Sequence, residues 1–460
     1  MDALSLETLA RWAGGTLLSG AEGAVASGVA TDSRSLRPGD LFVALRGEQF
    51  DGHAFLKQAA QAGAVGAVVD KAWNGEVPGE GFGILQVGDT LEALAAMATA
   101  YRASLPLKVI GLTGSSGKTS TKDFTAAVLE RKFRVVKTQG NFNNHIGLPL
   151  SIFRASVEDE VGVFEMGMNH PGEIAPLAAI AAPDLAIITN IGVAHIEFMG
   201  SREAIAQEKG MLAEALPPGG TLFMPVGDAF GEAIAARTRA ATVFSGIGSD
   251  PRAALHAEVL ESGLEGSRFL AKYGDEVAEV TLPVAGRHMI ENALLALAAG
   301  HALGISLEEG AKGLAQCRLT KGRLERKSRG GITFLDDSYN ANPESMQAAL
   351  ATFASGVTEG KRIAVLGRMG ELGAASEEGH RSVGKAAARA RVDTVVAVGD
   401  EARWIAEEAR SGGVGEVHHL ADAAEAAGWL AQNAVKGDLV LIKASRAVGL
   451  EKVFDHPAFA

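Results

Sequence analysis

The sequence predicts an α/β protein of three domains with mostly parallel sheets, and three observations carry that expectation. Short Val/Ile/Leu runs alternate with Ala-rich stretches of helical periodicity along most of the chain. With 460 residues the chain exceeds what one ordinary core organises. Between an apolar run and a helical pattern stands GLTGSSGKTS (residues 111–120), a glycine-rich turn of the kind that cradles a nucleotide phosphate.

Taken in order, a first block of residues 1–88 holds TDSR (31–34), PGDLFVAL (38–45) and the Asp51-Gly52-His53 turn. A helix over 90–104, closed by Pro106, leads into the second block. There Lys108-Val109-Ile110 ends a buried strand, and Phe124, Val128 and Leu129 set a helical period over 121–131. Runs at 161–164, 185–188 and 221–224 are strand candidates, and the alternation over 257–282 reads as antiparallel. Helices over 288–303 and 306–316 close this block at residue 317, with Ser306 and Glu309 spaced as a capping box. The third block, 318–460, repeats the alternation with strands at 332–335, 362–366, 394–398 and 439–442. The longest apolar stretch, 175–191, is interrupted by Pro176, Pro183, Asp184 and Asn190, so it reads as helix end, loop and strand rather than a membrane span.

Composition narrows the function classes. Acidic residues outnumber basic ones by 55 to 43, a formal net charge of −12, which argues against nucleic-acid partners and anionic membrane surfaces. Any anionic substrate must therefore be held by a local site. A single cysteine, Cys317, excludes internal disulfides and Cys-rich zinc modules and fits a reducing compartment. The first residues lack a basic stretch followed by an apolar core, so the expected location is the cytoplasm, without membrane insertion and with a monomer as the default.

The chemistry-bearing residues sit at strand ends. In the glycine turn, Gly114 and Gly117 let the amides around Ser115, Ser116 and Ser120 approach an anion, Lys118 neutralises phosphate charge, and Thr119 offers a hydroxyl to Mg2+. The turn departs from GxxxxGK[ST], because Leu112 stands where the first glycine belongs and Gly111 lies one residue early. Glu165 follows the 161–164 run, where it is either a Mg2+ ligand or a surface or capping carboxylate. His195 follows Thr189-Asn190-Ile191-Gly192 and is either a packed histidine or a metal or phosphate ligand. Lys209 falls on the apolar stripe of Ile205, Leu212 and Leu216. It either snorkels to water or stays buried, where a depressed pKa would make it an amine nucleophile able to take up CO2 as a carbamate. Asn292 can face an adenine edge or pack as a core polar residue, Arg323 can reach a phosphate, and Asp337 a ribose hydroxyl. Residues 340–343 read equally as a turn and helix start; GRMGELG (367–373) and KASR (443–446) either bind an anionic peptide or cap the next helix.

In this order the motifs resemble the Mur ligases of peptidoglycan synthesis over nearly the whole chain. The resemblance rests on TDSR, PGDLFVAL and DGHAF; on GLTGSSGKTS, GNFNNHIGLPL (140–150), FEMGMNHPGEI (164–174) and GRHMIENALLAL (286–297); and on GRLE (322–325), DDSYNANPESM (336–346), GRMGELG and KASRAVGLEKV (443–453). It implies a UDP-binding N-terminal domain, a central ATPase domain and a C-terminal Rossmann-like domain. It further implies ATP on residues 114–120, and Mg2+ on Thr119, Glu165, His195 and a carbamylated Lys209. Adenine would lie on Asn292, while Arg323 and Asp337 would close on ATP. Ser33, Arg34, Asn143 and Asn144 would face the UDP-sugar, with Ser445 and Arg446 near the incoming peptide. One departure is Met289, where the family often carries Asn.

The implied reaction is ATP-dependent addition of D-alanyl-D-alanine to UDP-N-acetylmuramoyl-tripeptide through an acyl phosphate. Within the family the rival is the ligase adding the third peptide residue, whose diaminopimelate-using form carries an Asp-Asn-Pro-Arg signature absent here. From another class, the phosphate turn alone also suits a regulatory NTPase, which would hydrolyse ATP without a sugar-peptide.

Overall fold

The protein is described by a computed structural model covering residues 1–48 and 50–459. It divides into two compact units: residues 1–111, 133–167 and 172–184 form the first, and residues 112–132, 168–171 and 185–460 the second.

The first unit opens with a five-stranded sheet ordered Thr16–Ser19, Gly83–Val87, Gly66–Asp70, Asp40–Val43, Gly28–Ala30. Only its first pair is antiparallel. Phe42, Ala44, Leu56, Ala67, Val69 and Ile84 pack a core on one face. The helix Thr90–Ser104 has the expected bounds, and the reasons are local. Asp89 accepts the amides of Leu91 and Glu92 as N-cap, and Leu105 turns extended before Pro106. Beyond the helix, Lys108–Thr113 and Val161–Glu165 are neighbouring strands, and Val161–Glu165 pairs in parallel with Val135–Lys137, a short strand the sequence reading missed. The helix Ile174–Ala181 ends on Ala182 at φ +44° ahead of Pro183.

In the second unit the strands Leu185–Ile188, Thr221–Pro225, Ala241–Ile247 and Ala253–Gly263 run parallel. Gly266–Tyr273 and Glu276–Leu282 then continue antiparallel, as the 257–282 alternation predicts. The helix Lys118–Leu129 begins three residues before its predicted start, because Gly117 serves as a left-handed N-cap. Helices Arg287–Ala302 and Leu307–Ala315 lie within a residue of expectation. The capping box at the second is only half formed. Ser306 accepts the Glu309 amide, but the Glu309 carboxylate is drawn to Arg131 and Lys312.

Residues beyond 318 build a six-stranded sheet ordered Glu325–Arg329, Ile332–Asp336, Leu439–Lys443, Arg362–Gly367, Thr394–Val398, Glu416–Leu420. All but the first strand are parallel. Helices Pro343–Ala354, Ser376–Arg389, Arg403–Ser411 and Ala423–Asn433 connect them. The loops leaving Leu185–Ile188, Ile332–Asp336, Arg362–Gly367 and Leu439–Lys443 all start at carboxyl ends of strands, where open α/β sheets place ligands. Among the described residues no helix is long and apolar enough to cross a membrane.

Candidate nucleotide site

The strand Lys108–Thr113 delivers the chain to Gly114 at φ +150° and Gly117 at φ +75°, and the helix starts at Lys118. A buried helix N-terminus of this kind presents amide donors and positive dipole to an anion. The loop's shape is set by residues from the next strand exit. Asn190 accepts the amides of Ser115 (3.1 Å) and Ser116 (2.9 Å) on its Oδ1 and donates from Nδ2 to Ser116 Oγ at 2.6 Å. Thr189 Oγ1 donates to the Ser116 carbonyl at 2.6 Å, and Ser115 Oγ accepts the Gly192 amide at 2.8 Å. The Lys118 ammonium folds back on the Gly114 carbonyl at 2.8 Å.

Thr189 and Asn190 directly follow the strand Leu185–Ile188, whose bounds match the predicted 185–188, and their role as loop holders goes beyond what the sequence suggests. The available signal was two polar residues directly following an apolar run.

Asn292, buried in the helix Arg287–Ala302, packs against this loop: a Cβ added at Gly117 would stand 2.8 Å from its Oδ1. Left-handed backbone costs an L-residue about 1–2 kcal/mol. Gly117→Ala is therefore expected to weaken ADP binding about tenfold or more. Calorimetric titration checks it, and an unchanged affinity contradicts the cradle.

Thr119, His195, Lys209 and Arg323 belong to the same unit. Arg323 Nη2 donates to Thr119 Oγ1 at 3.1 Å, its guanidinium lies 4.2 Å over the Tyr339 ring, and its buried Nε has no hydrogen-bond partner. Lys209 lies in the helix Arg202–Glu214 with no exposed surface, and its Nζ has no partner. Burial first, and the charge of Lys118 second, push its pKa well below the ordinary lysine range. This decides between the two readings of the residue: it does not snorkel.

His195 has φ +65° and meets the Glu371 carboxylate at 2.5 Å; Glu371 too is left-handed, at φ +62°. Burial lowers the imidazole pKa despite that carboxylate, so the neutral ring predominates at neutral pH. In the sequence Glu371 stands out only as part of GRMGELG, since a contact so distant in sequence leaves no periodic trace. Asp337 accepts the Leu324 amide at 3.2 Å and pairs with Lys443 at 2.6 Å. Ser445 Oγ accepts the Gly370 amide at 2.8 Å, and Arg446 lies 5.2 Å over the Tyr339 ring that Arg323 also covers.

The remaining candidates lie in the first unit. Glu165 is the last residue of its strand rather than the one after it. It is buried, its amide donates to Thr138 Oγ1, and its carboxylate accepts Asn143 Nδ2 at 2.8 Å. That burial removes the surface-carboxylate reading. Asn144 Oδ1 accepts the amides of Ile146 and Gly147 at the start of a short helix. Ser33 donates to Gln58 at 3.2 Å, and the exposed Arg34 is paired with Asp32 at 2.7 Å, which pulls that carboxyl down to about 2.

Three family models match the chain consecutively: the Mur ligase family catalytic domain over residues 25–102, the Mur ligase middle domain over 112–300, and the Mur ligase glutamate ligase domain over 322–446. The UDP-N-acetylmuramoyl-tripeptide–D-alanyl-D-alanine ligase of Bacillus subtilis is 40% identical, covering 94% of this chain and 93% of its own. The Escherichia coli ligase of the same name is 37% identical, with 92% of each covered. Among solved structures, MurF from Acinetobacter baumannii superimposes with a TM-score of 0.87 at 32% identity, covering 99% of this chain and 98% of that one. MurF ligase from Thermotoga maritima in complex with ADP gives 0.80 at 31% identity, covering 94% and 96%.

Proposed function

This chain belongs to the Mur ligase family, and from that premise we infer how its residues carry out ATP-dependent peptide ligation. It joins D-alanyl-D-alanine to the terminal carboxylate of UDP-N-acetylmuramoyl-tripeptide, completing the UDP-pentapeptide precursor of peptidoglycan. The observation that carries this reading is that likeness to ligases of that name runs through every part of the chain. We propose domain limits of 1–88 for UDP-sugar binding, 89–317 for ATP and 318–460 for the Rossmann-like part; the three consecutive matched spans support three domains in this order, the first of them reaching past 88 to residue 102.

Charge dictates the first half of the reaction. The substrate carboxylate and the γ-phosphate are both anions, so their approach needs fixed positive groups. Lys118 shifts from the Gly114 carbonyl to the phosphates, and the amides opening the helix hold the oxygens from the other side. Arg323 spends its unpaired Nε donor on the transferring group. The carboxylate oxygen bonds to the γ-phosphorus as the bridge to ADP breaks, giving an acyl phosphate. The amine of D-alanyl-D-alanine then attacks the acyl carbon, loses a proton, and phosphate departs from the tetrahedral intermediate. Asn292 lies against the loop on the side proposed for adenine, and Asp337, braced by Lys443, is proposed for the ribose. Ser33, Arg34, Asn143 and Asn144 are proposed for the UDP-sugar, and Ser445 and Arg446 for the dipeptide.

Mg2+ fits the donor set on one condition. Among the described residues no three His, Cys, Asp or Glu side chains gather as a ready-made cation site. The partner-less, pKa-depressed amine of Lys209 supplies the missing charge if it takes up CO2. The proposed ligands are then Thr119, His195, the Lys209 carbamate and Glu165, and the ion would neutralise phosphate charge. We further place the enzyme in the cytoplasm, acting as a monomer.

The test is phosphate release from ATP with lysine- and diaminopimelate-containing UDP-tripeptides, each with and without D-alanyl-D-alanine. Release is expected only when sugar-peptide and dipeptide are both present. Release without either identifies a free-standing NTPase, and no release under any combination rejects the assignment.

A further inference from the structure

The segment that carries Arg323 is tied to the phosphate-loop helix at two points. Thr320 donates both its amide (3.0 Å) and its hydroxyl (2.8 Å) to Asp123 Oδ2, while Arg323 reaches Thr119 at 3.1 Å. Thr119 and Asp123 stand four residues apart in the helix Lys118–Leu129, hence on one face and a turn apart. The other carboxylate oxygen of Asp123 lies 3.4 Å from the buried Lys122 ammonium, so the acceptor is itself fixed. Within and just beyond this segment the backbone is under constraint. Gly322 takes φ +70° and Leu324 φ +50°, the latter a left-handed conformation unfavourable for a γ-branched residue. The Leu324 amide bonded to Asp337 and its buried side chain hold that conformation.

We infer that Asp123 and Thr320 are positioning residues that aim Arg323 at the transferring phosphate. Neither touches a reacting atom; their effect passes through the guanidinium. Losing the Thr320–Asp123 tie frees residues 320–323, and Arg323 moves while the loop, Lys118 and Asn292 remain in place. The inference deepens the ligase reading and rests on it.

Thr320→Val keeps the β-branched shape and removes the hydroxyl. It is expected to lower kcat for dipeptide-dependent phosphate release about tenfold or more, misplacement of a group by an ångström being worth up to about a hundredfold. ADP affinity by calorimetry should stay within about threefold, because the cradle is untouched. Thr320→Ser, retaining the donor, should return kcat to within about twofold of native. In an Arg323→Ala background, followed by single-turnover release, Thr320→Val should add nothing, since its effect acts through the missing guanidinium. A Thr320→Val enzyme with native kcat, or one that loses the same factor with and without Arg323, overturns the positioning role. Asp123→Asn, which weakens the same tie, must follow Thr320→Val in kcat and in ADP affinity; a native kcat in that variant also overturns it. The native chain run alongside tests the parent reading separately: if it releases no phosphate, that reading fails, whereas an active native chain with an indifferent Thr320→Val fails only the tie.

Discussion

Lys118→Met is expected to reduce dipeptide-dependent phosphate release about a thousandfold. Methionine preserves most of the side chain's length and apolar stem, so loop packing changes little and the lost quantity is charge. In the free protein that charge rests on the Gly114 carbonyl at 2.8 Å, a contact that also sets its direction. The expected split is informative: ADP affinity should fall by about tenfold only, because the loop and helix amides still bind oxygens, whereas kcat falls far more. Lys118→Arg should not rescue, since a planar guanidinium cannot fit the same approach between Gly114 and the helix start. A loss of affinity with kcat unchanged would instead make Lys118 a binding group only.

Lys209→Ala is expected to abolish turnover, and short carboxylates such as acetate or propionate at high concentration should restore part of it. The argument is one of charge. A buried ammonium beside Lys118 would add repulsion where the substrate needs a bound cation, so a plain lysine is badly matched to this position. Burial lowers the amine's pKa well below the ordinary lysine range and so favours its neutral, nucleophilic form, which the proposed carbamylation would turn into an anion. Acidification protonates the amine and releases CO2, so activity should be lost on the acid side and recover with added bicarbonate. Lys209→Met separates function from folding. Replacing a buried amine without a partner by an apolar side chain should leave thermal stability unchanged or raised while activity disappears. An active Lys209→Met enzyme would remove the carbamate from the mechanism.

How much of this was legible depended on whether the determining contacts were local. The helix Thr90–Ser104 was readable to the residue because Asp89 and Pro106 punctuate it, and the strands Leu185–Ile188 and Thr394–Val398 because they are uninterrupted and buried. Glu325–Arg329 and Glu416–Leu420 escaped notice for the opposite reason. Both are edge strands of one sheet, and their polar composition, four charges in the first and Glu416, His418 and His419 in the second, hides the strand signal while discouraging pairing of the open edge with another chain. At the site, the phosphate loop and Lys209 announced themselves through spacing. The partners that give them their properties, Asn190 beneath the loop, Glu371 on His195 and Thr320 on Asp123, are tertiary contacts that no local pattern encodes.

The bonds from Asn190 to the loop carry a consequence for affinity. Glycine-rich segments ordinarily lose much conformational entropy when they close on a ligand, and that loss is subtracted from binding. Here the ordering has taken place at folding, because one side-chain amide engages Ser115, Ser116 and the Ser116 hydroxyl together. The nucleotide thus meets a mould already set, and its binding free energy is available for discriminating ATP from ADP rather than for shaping the loop that receives them.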